Sequence, residues 1–127
     1  MTPPREEFYF LAYAWDITAA KERAANEPTG NLIVPEWRGV ASMVDVDQGH
    51  AATVNLSEPL IVVPIDDAGH FPVDGWHRIY RALREGVPAL KAVILTTDEE
   101  RQIHIYGGDA GHPLRRSARA KPALEDQ

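Results

Sequence analysis

The chain has no cysteine among its 127 residues, which removes disulfides, thiolate metal sites and thiol nucleophiles together. It has no run of about 18 apolar residues and no signal-peptide pattern, so nothing points to a membrane span or to secretion, and the expected location is the cytoplasm. Internal repeats, a helix-turn-helix signature and zinc-finger spacing are also missing. What is present is 44% hydrophobic residues, enough for one domain with its own core. We expect that domain over residues 1–110, with 111–127 as a flexible C-terminal tail.

Positive charge is scarce and unevenly placed. The net charge is −6, yet Pro113 to Gln127 carries four basic and two acidic residues, leaving nine basic against seventeen acidic in the rest, a net of −8. Such a body lacks the basic stripe that supplies most non-specific affinity for nucleic acid. The run Arg115-Arg116-Ser-Ala-Arg119-Ala-Lys121 reads as a solvated end, with a nucleic-acid or partner contact as the alternative.

Along the chain, Phe8 to Ala14 is aromatic and apolar enough for a strand, and Asp16 can cap a helix over Ile17 to Ala25. Leu32 to Val34 and Met43 to Val46 look like short strands, separated by a loop at Pro35 to Gly39. Asp47 is placed to cap a short helix reaching about Val54. Glu58-Pro59 leads into Leu60 to Ile65, whose continuous apolar character suggests burial on both faces. A turn follows at Asp66 to Gly69, then Phe71 to Val73. Ala89 to Leu95 reads as a second buried strand, and Thr97 to Glu100 as a capping box opening a helix to about Tyr106. The fold class expected is α+β, a small mixed β-sheet flanked by helices, with Leu60 to Ile65 and Ala89 to Leu95 on the inside.

The most informative stretch is Asp74-Gly75-Trp76-His77-Arg78, at the passage from strand to helix. Asp-Gly is a common hairpin turn, but Trp76, Ile79, Tyr80 and Leu83 follow at helical spacing, and the run stops at Gly86 with Pro88 just beyond. A helix start carries unpaired N–H groups and a partial positive charge. Two cationic side chains in that first turn oppose the dipole, a cost that an anion would remove. Phosphate fits best: Gly75 lets the backbone approach, and Arg78 offers paired planar donors. Trp76 and Tyr80 fall on an apolar stripe suited to packing or to the wall of a pocket. On this reading Arg78→Ala lowers ligand affinity and leaves the fold nearly intact.

The segment from Glu58-Pro59 to about Leu95, close to a third of the chain, resembles the ParB/sulfiredoxin superfamily. The residues that carry the resemblance are Glu58-Pro-Leu-Ile-Val-Val and Val73-Asp-Gly-Trp-His-Arg-Ile-Tyr-Arg-Ala82, a D-G-x-H-R variant similar to the G-C-H-R and G-E-R-R of other members. The resemblance implies a nucleotide, ATP or CTP with Mg2+, whose phosphates lie on Asp74, Gly75, Trp76, His77 and Arg78. Trp76 stands where sulfiredoxins have their reactive cysteine, so sulfinic-acid reduction is excluded. The helix-turn-helix and dimerisation segments that follow this domain in chromosome-partitioning proteins are not expected here.

Three functions remain open. One is a nucleotide-binding domain acting as a phosphotransferase on a small molecule or protein, or as an NTP hydrolase, with Glu58, Asp66 or Asp67 as base. The second is a non-catalytic regulatory module of the same fold. The third is a metal-dependent nuclease or DNA-processing protein, for which Asp45, Asp47 and His50 form a local set. The expected partner is a nucleotide or other phosphorylated small molecule, with no membrane contact and a homodimer left open.

Overall fold

The structure, a computed structural model, describes residues 4–11, 13–65 and 69–107. The turn residues 66–68, Gly108 and the expected tail lie outside the described residues. Two sheets share one core. In the first, β1 (Glu7–Phe10) pairs antiparallel with β2 (Tyr13–Asp16), and β2 pairs antiparallel with β7 (His104–Tyr106). In the second, the order is β3 (Gly30–Ile33), β6 (Ala89–Ile94), β4 (Leu60–Ile65), β5 (Gly69–Asp74). Here β4 and β6 run parallel and the outer strands antiparallel, so the sheet is mixed and its two inner strands are those expected.

Helix α1 (Ile17–Ala24) begins where the Asp16 carboxylate accepts the N–H of Ala19 at 3.0 Å. A 3-10 turn (Val34–Trp37) continues into α2 (Arg38–Ala41), and the short α3 (Gln48–Ala51) starts at Asp47, as its sequence suggests. Helix α4 (Trp76–Glu85) ends at Gly86, whose φ of 73° is the left-handed conformation expected of a C-terminal glycine. Helix α5 (Thr97–Ile103) follows β6.

Five local expectations need correction. Phe8 to Ala14 is a pair of strands, because reversal of the chain lets Phe8 stack on the fully buried Trp15 with ring centroids 6.3 Å apart. Pro35 to Gly39 is helical: Pro35 suits a first helical turn, and Trp37 packs edge-on against Trp76. Met43 to Val46 is no strand, since Met43 and Val44 close turns onto α2 and no strand lies beside them. Helix α5 stops at Ile103 because His104 to Tyr106 pair with β2. Its capping box is Thr96 with Glu99, one residue earlier than expected, because Glu100 is turned inward.

The two sheets meet on aromatic side chains. Trp15 stacks on Phe71 at 5.9 Å, and Phe71 contacts both Trp37 and Trp76. Burial of such rings is the largest apolar contribution a core this size can make, roughly 1.5–3 kcal/mol for each large side chain. The start of α4 is thereby fixed against the sheet from which it departs.

Candidate functional site

Gly75 is where β5 gives way to α4. Its φ of 106° is open to glycine and strained for other residues, and a Cβ there would run into the Leu60 side chain. The approach of two backbone segments therefore accounts for this glycine, before any ligand is considered. Among the described residues no side chain caps the N-terminus of α4, in contrast to α1 and α5.

Around that terminus the surface opens into a cleft of about 400 Å³, walled by Gly75, by His77 and Arg78 from α4, Lys21 from α1, and His50 and Asn55 from α3 and the loop beyond it. A second, less polar cleft of about 380 Å³ adjoins it, with Pro59, Leu60, Ile61 and Val93 in its lining. Lys21, Glu58, Asp74 and Arg78 border both. Together these volumes lie within the range of small-molecule sites.

The motif residues divide into two groups. Trp76 faces the core at 4% exposure, and its indole N–H donates to the carbonyl of Pro72 at 2.8 Å. Arg78 is 9% exposed, and its guanidinium is already engaged. Nη1 donates to the carbonyls of Glu58 and Pro59, both at 2.7 Å, and Nη2 lies 3.3 Å from the Asp74 carboxylate. Arg78 is a clasp between α4, β5 and the chain entering β4. This corrects the expectation that its loss would leave the fold nearly intact.

Burial pushes the Asp74 carboxyl above its ordinary value, with the charges of Arg78 and Lys21 acting the other way. His77 is held below its ordinary value, first by burial and then by the nearby His50. Its Nε2 accepts the backbone N–H of Asp47 at 3.2 Å. Lys21 is ion-paired with Glu6 at 2.8 Å, a contact that raises its pKa.

Glu58 is exposed at the junction of the clefts, while Asp66 and Asp67 lie outside the described residues. The set Asp45, Asp47 and His50 does not assemble around a metal. The Asp47 carboxylate is used on the N–H groups of Gly49 and His50, and no three candidate ligands converge among the described residues. Lys21, Glu6 and Asn55 gave no sequence signal, because tertiary packing alone brings α1 and the 52–58 loop beside α4.

Comparison with known proteins returns no match: no family model, no characterised protein and no solved structure aligns with the chain.

Proposed function

We propose that the chain is a nucleotide-binding module. It holds the phosphates of ATP or CTP at the first turn of α4 and the base or sugar in the adjoining less polar cleft. The observation that carries this reading is the uncapped N-terminus of a ten-residue helix opening, beside Lys21, into a cleft of about 400 Å³. The resemblance of the surrounding segment to ParB/sulfiredoxin domains agrees with it. Arg78 has a different role from the one its motif position suggests: it shapes the cradle, and backbone N–H groups with Lys21 meet the phosphate. Three carboxylates, Glu6, Glu58 and Asp74, line the same cleft, so an incoming anion must displace Glu6 from Lys21. A magnesium ion would arrive on the nucleotide's own phosphates, as the described residues offer no cage for it.

A catalytic version of this reading rests on Glu58, whose carboxylate is exposed where the clefts join and whose own carbonyl Arg78 holds. In phosphotransfer it would take the proton of an acceptor hydroxyl as that oxygen bonds the terminal phosphorus and the nucleoside diphosphate leaves.

Thermal unfolding with ATP, CTP or inorganic phosphate, each with and without magnesium, tests the proposal. A ligand at a hundred times its dissociation constant adds about 2.7 kcal/mol of stability. The expected result is stabilisation by a nucleotide, several-fold weaker in Lys21→Ala. No stabilisation by any of them at millimolar concentration overturns the proposal, as does an effect that Lys21→Ala leaves unchanged.

A further inference from the structure

His77 joins two elements in a way that only a neutral imidazole permits. Its Nε2 accepts the N–H of Asp47 at 3.2 Å, and a ring nitrogen that accepts carries no proton, which places the ring's single proton on Nδ1. Asp47 in turn caps α3, its Oδ1 accepting the N–H groups of Gly49 at 2.9 Å and His50 at 3.2 Å. The His50 ring stands edge-on to His77 with centroids 4.6 Å apart. The hydrogen bond that ties the start of this turn to α4 thus rests on one acceptor atom, while Ala51 at its other end is buried. Farther along, Arg81 holds the carbonyl of Val54 at 2.6 Å, so that end has an anchor of its own.

We propose that His77 is a proton-sensitive latch: neutral, it holds the Asp47 to Ala51 turn against α4 as one wall of the cleft, and doubly protonated, it releases that turn. A proton on Nε2 would set one N–H against another and abolish the contact. The groups facing the ring are His50 and Asp47 of the turn, Asp45 before it, and Arg78 on its own helix, with Glu6, Lys21, Glu58 and Asp74 lining the same cleft. Asp45 and Asp47 favour the charged ring, but burial, His50 and Arg78 prevail, and His77 titrates below its ordinary value of 6.5. With a depressed midpoint, the latch is fully present above the ordinary value and is lost as pH falls through the lower one. Between the two, the ratio of released to closed turn grows about tenfold per pH unit. This device does not depend on what the cleft binds.

The test is amide exchange followed by nuclear magnetic resonance on the full chain, as protection factors corrected for intrinsic exchange, alongside titration of the histidine rings. Between pH 7 and 5 the Asp47 amide is expected to lose protection, by up to about tenfold per pH unit. The midpoint should match the His77 ring, while amides of β4 and β6 hold. His77→Gln offers a carbonyl acceptor that does not titrate, and protection should then stay flat. In His50→Ala the transition should persist. Constant Asp47 protection through the His77 titration overturns the proposal, as does a His77 midpoint at or above the ordinary value, or a transition that vanishes in His50→Ala.

Discussion

Two charged side chains are buried among the described residues, Arg78 and Glu100, and they lie in contrasting surroundings. Glu100 sits under Trp15, whose indole N–H donates to it at 3.0 Å, and 2.6 Å from Nδ1 of His104, so α5 is tied to both β2 and β7. Arg78 is tied as firmly, to two carbonyls and a carboxylate, but its partners edge a pair of clefts. Both corners offset the desolvation of a charge with close polar contacts. At the Arg78 corner Lys21, Glu58, Asp74 and His77 line the clefts beside it. Buried charge by itself therefore marks architecture, and the open groups beside it mark the site.

Substitutions can break or sharpen this contrast. The largest effect is expected from Glu100→Ala, which removes the acceptor of the Trp15 N–H and the carboxylate beside His104: a loss of roughly 3–5 kcal/mol in urea denaturation, with no separate effect on nucleotide affinity. Arg78→Ala comes next, at roughly 3 kcal/mol, since it leaves the Asp74 carboxylate unpaired, and here ligand affinity falls as well. Equal stability of wild type and Arg78→Ala would remove the clasp. Gly75→Ala is expected to cost about 1–3 kcal/mol, read as a lowered melting temperature, from the positive φ and the Leu60 contact.

Asp74→Asn has a smaller effect whose sign depends on pH. Because the folded carboxyl titrates above its ordinary value, its contribution is fully present below that value and is lost as pH rises through the folded midpoint. The variant should flatten this dependence, measured as denaturation midpoints from pH 4 to 8. Smallest in stability is Glu6→Gln, within about 1 kcal/mol for so exposed an ion pair. It should nonetheless raise anion affinity several-fold by freeing Lys21, as calorimetric titration would register.

Much of the fold was legible. The unbroken apolar run Leu60 to Ile65 identified an inner strand, the 3.6-residue spacing from Trp76 to Leu83 identified α4, and Asp16 and Asp47 marked helix starts. The errors fall where pairing or packing outweighs local preference. His104 to Tyr106 could extend a helix, and become a strand because β2 offers a free edge. Glu100 reads as a capping residue from its spacing, yet Trp15, 85 positions away, draws it inside.

The site divides in the same way. Gly75, His77 and Arg78 could be singled out because helix-end electrostatics act over a few adjacent residues. The duties of Arg78, the tautomer of His77 and the presence of Lys21 depend on atoms from segments 19 to 57 positions away in the chain. Local order follows from sequence because backbone preferences and hydrophobic periodicity act over short range. Which donors remain available to a ligand is decided only when long-range packing has assigned each polar group its partner.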